Sequence, residues 1–241
     1  MPIINSIAAI HPDMTEWRRD LHAHPELSMQ ESRTSGVVRA KLAEFGVDEI
    51  ITGMATHGVV GVIRSGSSDR AIGLRADMDA LPIHEETGLP HASRTPGVMH
   101  ACGHDGHTTM LLGAAKYLAE TRNFDGTVYL IFQPAEEFEG GADMMVKDGL
   151  FQRCPMEKVY GLHNWPEMKA GTFLWRTGPV MAAVGFFEIG VTGKGSHGAS
   201  PHQGIDPIVV SAQIVSGLQT IVSRNIEPIE GGVVSIGSIA G

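Results

Sequence analysis

Val128-Tyr129-Leu130-Ile131-Phe132-Gln133-Pro134-Ala135-Glu136-Glu137 reads as a buried strand that stops at a proline and then presents two adjacent carboxylates. Apolar runs of this kind, 128–132 with Thr127 before it, suit a strand inside a sheet. Outward from it the chain alternates strand and helix signals. Upstream, helices are expected over Met14–Ala23 and about Gln30–Phe45, with Gly46 as a C-cap. Strands are expected at Gly58–Ile63 and Ala71–Ala76, joined by the turn-like Ser65-Gly66-Ser67-Ser68-Asp69. A loop runs from Asp79 to Gly106, followed by an apolar helix over Thr108–Leu118. Downstream come a short helix, Ala142–Asp148, and a strand, Val159–Leu162. Alternation of this kind predicts an α/β fold with a mixed, largely parallel sheet flanked by helices.

In such sheets ligands collect at the carboxyl ends of strands. Asp77 and Asp79 follow one predicted strand, Glu136 and Glu137 a second, and His163 a third. The loop before the apolar helix holds His100-Ala101-Cys102-Gly103-His104-Asp105-Gly106-His107. Thiol and imidazole beside carboxylate suit a transition-metal site. Adjacent residues leave a strand in opposite directions, so one Glu can face a metal while the other faces substrate. Each signal has a plainer reading. The Glu pair can be a solvated acidic stretch, His163 a satisfied core histidine, and His197 an ordinary residue of the turn Gly193-Lys194-Gly195-Ser196-His197-Gly198. The thiol among the histidines is what the plainer readings do not account for.

Composition narrows the classes. Net charge of −9 over 241 residues argues against nucleic acid and anionic membrane partners. Two cysteines, Cys102 and Cys154, fit a reducing cytoplasm, with Cys154 read as structural. No apolar span reaches membrane length. The pattern changes near Pro179, dividing the chain into a metal-binding domain, 1–179, and the beginning of a smaller α+β domain, 180–241. There, strands are expected at Gly185–Thr192 and Val233–Ile239, around a helix at Asp206–Ser223. One such unit is marginal alone, so the sequence reads as lacking a C-terminal part.

Five segments carry a resemblance: Trp17–Glu26, Leu74–Pro82, His100–His107, Gln133–Glu137 and Gly193–Pro201. In order and content the chain resembles the M20 metallopeptidases, in particular the branch of hippurate hydrolases and other N-acyl-amino-acid amidohydrolases. The resemblance implies a zinc-exopeptidase-like catalytic domain, a lid or dimerisation domain, and two divalent ions (Mn, Zn, Co or Ni). It implies Cys102 as the ligand bridging the ions, where the wider family has Asp. His104, Glu137 and His163 become further ligands and Glu136 the general acid/base. Asp79 orients a ligand from behind, and Asp77 stands where the wider family has a metal-binding His. His197 matches a lid-domain His that reaches the partner subunit's site. A last His ligand belongs to a C-terminal segment not found in this sequence. The implied substrate is a small N-acyl amino acid, and the implied assembly a homodimer or homotetramer. A dipeptidase or aminoacylase of the same family is the alternative. Two rivals stand outside it: a cysteine hydrolase using Cys102 with His104 or His107, and a non-catalytic fragment.

Overall fold

The computed structural model describes residues 4–241. The chain divides into two compact units, Met1–Phe173 and Leu174–Gly241. In the first unit, helices α1 (Asn5–Ala9), α2 (His11–Ala23) and α3 (Ser32–Phe45) precede strands β1 (Glu49–Met54), β2 (Gly58–Ser65) and β3 (Ala71–Asp77). Helix α4 (His104–Thr121) leads to β4 (Gly126–Gln133), then α5 (Gly141–Lys147), α6 (Leu150–Arg153) and β5 (Lys158–Gly161). The expected helices and strands of this unit are all present, with ends moved by a few residues. Helix α2 begins earlier than expected because Pro12 is tolerated in a first turn. Gly46 closes α3 in the left-handed conformation, φ 72°.

The sheet order is β1-β2-β4-β3-β5. It is mixed, with the parallel pairings confined to β3 with β4 and β3 with β5, while β1–β2 and β2–β4 run antiparallel. β1 carried no turn signal in the sequence. Its hairpin to β2 turns through Ala55 and Thr56 at positive φ, where Asn-Gly would have announced it.

β4 is central and covered on both faces. Val128, Leu130 and Phe132 point into a core shared with Val38 and Leu42 of α3 and Leu111, Leu112 and Ala115 of α4. Tyr129 and Ile131 point to the opposite face, against Val60, Val62, Met145, Leu150 and Cys154. Burial on both sides is why the 128–132 run is unbroken rather than alternating. Cys154 is a free, fully buried thiol, in keeping with a structural role.

Because β3, β4 and β5 are mutually parallel, their carboxyl ends share one edge. Asp77 pairs in register with Gln133, and Gly161 with Arg75. The second unit holds a 3-10 turn (Pro201–Gln203) and helices α7 (Pro207–Leu218) and α8 (Thr220–Asn225). Asp206 caps α7 by accepting from the N–H groups of Ile208 and Val209. The strands expected over 185–192 and 233–239 do not form. Among the described residues this unit has an isolated bridge, Lys194 with Ile205, and no ladder. An apolar run without a paired neighbour has nothing to satisfy its backbone as a strand. No helix is long and apolar enough to cross a membrane among the described residues.

Candidate metal centre

The site forms where the loops after β3, β4 and β5 meet the first turn of α4. After β4 the backbone turns sharply. Ala135 is fully buried at φ 50°, an unfavourable conformation for a residue with a side chain. The turn closes through the Gly141 N–H donating to the Ala135 carbonyl at 2.8 Å. A Cβ on Gly141 would lie 1.9 Å from the Pro134 carbonyl oxygen, so glycine is required there. The next two N–H groups, of Glu136 and Glu137, donate to Oδ1 and Oδ2 of Asp79, each at 3.0 Å. Ser28 adds its hydroxyl to Asp79 Oδ2 at 2.7 Å. Burial raises the Asp79 pKa, yet His104, Ser28 and those two N–H groups outweigh it and hold the carboxyl below its ordinary value.

Helix α4 starts at Gly103, whose φ of 86° and contact with Asn164 exclude a side chain. This puts His104 at its first position, wholly buried among carboxylates. Its Nδ1 lies 3.3 Å from Asp79 Oδ1, and its Nε2 lies 3.7 Å from both Asp77 Oδ2 and Glu137 Oε1 and 3.9 Å from Glu136 Oε2. Burial lowers the His104 pKa, but Asp79, Asp77 and Glu137 override it and raise it. Neither His104 nitrogen, nor Glu137 Oε1, makes an aligned hydrogen bond, although all three atoms are buried.

His163 follows β5. Its Nδ1 donates to the Asn164 carbonyl at 2.6 Å, and its Nε2 lies 3.3 Å from Cys102 Sγ. Cys102, His104 and His163 can converge on one ion, as can His104, Glu136 and Glu137. A third convergent group, Asp77, His104 and His107, is already committed internally. His107 Nδ1 donates to Asp77 Oδ1 at 2.6 Å while its Nε2 accepts from the Asn164 N–H at 3.0 Å. Asp77 Oδ2 takes the Arg75 guanidinium at 2.7 Å. Burial works against the Asp77 carboxylate, but His107 and Arg75 hold its pKa far below the ordinary value.

The electrostatics are those of a cation site. Burial, then Glu137, push the Cys102 thiol up to about 12. Burial, then Glu137, raise the Glu136 carboxyl as well. Orphaned buried donors, clustered carboxylates and a thiol held neutral fit a divalent ion that accepts sulfur, nitrogen and oxygen. The structure thus brings together Cys102, His104, Glu136, Glu137, His163 and Asp79. His197 lies in the second unit, exposed, with its Nδ1 accepting from the Ala199 N–H at 3.1 Å. That bond leaves the ring proton on Nε2.

Several supporting residues carried no clear signal in the sequence. Glu31 accepts the Ala135 N–H at 2.8 Å. His22 joins Asp105 at 2.9 Å to Glu85 at 3.2 Å behind the first turn of α4. Each of these pairs joins residues more than 60 positions apart, beyond the reach of local patterns.

The sequence profile of the peptidase family M20/M25/M40 matches residues 73–238. A hippurate hydrolase from Campylobacter jejuni is 47% identical over 238 residues, 99% of this chain and 62% of that protein. An N-acyl-L-amino acid amidohydrolase from Geobacillus stearothermophilus is 46% identical over 229 residues, 94% of this chain and 61% of that protein. The crystal structure of a dinuclear metal-binding peptidase of the M20 family from Bacillus subtilis aligns with TM-score 0.69 and 39% identity, covering 88% of this chain and 57% of that one. The chain therefore spans about three-fifths of the length of these curated relatives. With a profile match over most of its length and relatives this similar, the chain belongs to the M20/M25/M40 peptidase family.

Proposed function

We propose that this protein is a metal-dependent amidohydrolase that cleaves N-acyl amino acids to a carboxylic acid and a free amino acid. The observation that carries the reading is the meeting of Cys102, His104, Glu137 and His163 beside Glu136, with buried donor atoms left without partners. The names of the relatives, hippurate hydrolase and N-acyl-L-amino acid amidohydrolase, support the substrate class. Cys102, His104, Glu137 and His163 would hold two divalent ions (Mn, Zn, Co or Ni), which when bound supply Lewis acidity and a water of lowered pKa.

Glu136 does the proton work. Its raised pKa suits a group that takes a proton from the attacking water and returns it to the departing amine. Asp79 fixes both Glu136 and Glu137 through their backbone and faces His104 Nδ1, so one carboxylate aligns a proton carrier and two ligands. His163 offers Nε2 because its Nδ1–H is engaged. His197, with its proton on Nε2, supplies a hydrogen-bond donor for the developing oxyanion, given to the site of a partner subunit in a homodimer or homotetramer. The low cysteine count accords with a cytoplasmic setting.

A cysteine-nucleophile reading draws on the 3.3 Å approach of Cys102 Sγ to His163 Nε2. Against it, a thiol pushed up to about 12 holds almost no thiolate at neutral pH. The deciding experiment strips the whole protein of metal. It is then screened with N-benzoyl-, N-acetyl- and indoleacetyl-amino acids and with dipeptides, adding Mn, Zn, Co or Ni. The proposal expects no turnover without metal, recovery with at least one ion, and preference for N-acyl amino acids. Turnover that survives chelation favours the cysteine reading, and exclusive dipeptide cleavage favours a dipeptidase.

A further inference from the structure

The turn that presents Glu136 and Glu137 is held from behind by a residue with no place in the ligand set. Three consecutive N–H groups donate to two buried carboxylates. Ala135 donates to Glu31 Oε1 at 2.8 Å, and Glu136 and Glu137 donate to Asp79 at 3.0 Å each. Glu31 occupies the residue just before α3, where a side chain normally caps the helix, and it makes no cap bond. Glu26 caps α3 instead, accepting from the N–H groups of Arg33 at 2.9 Å and Thr34 at 2.8 Å. Glu31 is therefore released from its local task and turned inward.

That arrangement costs stability. Glu31 is 0% exposed, its Oε2 has no hydrogen-bond partner, and no salt bridge neutralises it among the described residues. Burial raises its pKa and the charge of Asp79 adds to this, against the opposing pull of the backbone N–H groups of Glu31 itself, Ala135 and Met29. A buried, half-satisfied carboxylate is a poor choice for packing alone. Beyond its own loop, the group it satisfies is the N–H of Ala135, the residue held at φ 50°. Without that acceptor the strained turn would relax toward ordinary φ, and both reactive carboxylates would swing with it.

We propose that Glu31 is a positioning residue: by accepting the Ala135 N–H it locks the left-handed turn that sets Glu136 and Glu137 against His104. The inference rests on the reading of Glu136 and Glu137 as the proton carrier and a ligand, and its test is separable from that reading. Glu31→Ala and Glu31→Gln are compared, first as metal-free proteins by amide hydrogen exchange over residues 133–139. They are then compared as the whole, metal-loaded protein by metal content, kcat and KM. Glu31→Ala is expected to speed exchange in this segment by roughly tenfold or more, the worth of a lost hydrogen bond to a charged group. It should lower kcat by about 10- to 100-fold with KM changed less than about threefold, as a displaced reacting group requires. Glu31→Gln keeps an oxygen acceptor and should restore most of both readouts. Unchanged exchange in Glu31→Ala would overturn the proposal. So would faster exchange with normal kcat, or failure of Glu31→Gln to recover either readout. Full activity in Glu136→Gln would instead sink the reading of Glu136 and leave the exchange result standing.

Discussion

At the scale of single residues, Cys102 separates the metal reading from its rivals. Burial, and then the charges of Glu137, Glu136 and Asp77, keep the thiol protonated unless a cation offsets them. Cys102→Ser should weaken binding of at least one ion by about tenfold or more, since a neutral hydroxyl is a poor substitute for thiolate. Metal titration followed by elemental analysis checks this. Unchanged stoichiometry and affinity would remove Cys102 from the ligand set, and an inactive but fully metallated variant would revive the nucleophile. The gathering of Cys102, His104, Glu136, Glu137 and His163 was legible in the sequence because each stands beside a strand end or helix start that local patterns locate. The roles of Glu31 and His107 were not. Glu31 looks like any acidic residue before a helix. His107 figures in the sequence only as a base for the rival Cys102 nucleophile, and its bonds to Asp77 and Asn164 show both nitrogens engaged.

At the scale of elements, helix ends and turns fix where the chemistry sits. Gly141 illustrates the tolerance. A methyl group there meets the Pro134 carbonyl, so Gly141→Ala should destabilise the fold by about 1–3 kcal/mol and impair turnover by shifting Glu136. Denaturant melts and steady-state rates test both, and a variant matching the parent in each would show that the turn yields freely. Arg122 ends α4 at φ 48° and ties it to the β1–β2 hairpin. Its guanidinium reaches Asp48 at 2.9 and 2.7 Å and the carbonyls of Arg64 and Gly46 at 2.8 and 3.1 Å. Arg122 is the main cause holding the Asp48 carboxyl below its ordinary value. A lowered carboxyl pKa stabilises the fold above the unfolded value, near 4, and that stabilisation is lost as pH falls through the folded value. Arg122→Ala should cost about 1–2 kcal/mol at pH 7, allowing for solvent screening, and less below about pH 4. An equal cost at both pH values would show that the carbonyl contacts, not Asp48, carry the effect. Helices α2, α3, α4 and α5 were readable from apolar periodicity and the Gly46 stop, whereas the short α1 and α6 were not expected. β1 was hidden by a hairpin turn without glycine, and the runs at 185–192 and 233–239 had strand-like composition but no ladder to join.

At the scale of the whole molecule, five segments carried the family resemblance, and the profile and relatives bear it out. What remains a proposal is how the second unit serves the first. If His197 completes the site of a partner subunit, His197→Ala in the whole protein should lower kcat strongly while metal content stays intact. Mixing it with Glu136→Gln should then restore part of the activity, because one site of the mixed dimer keeps both groups. No recovery after proven subunit exchange would argue that His197 acts within its own chain or not at all.

The central claim is that Glu136 moves protons while its neighbour Glu137 helps hold metal. Glu136→Gln keeps the shape and removes the proton-carrying function. Its metal content and turnover, measured on the same preparation of the whole protein, test the claim most directly. Glu136→Gln should keep the parental metal stoichiometry with turnover reduced at least about a hundredfold. Loss of metal together with activity would make Glu136 a ligand, and retention of both would leave it no part in the chemistry.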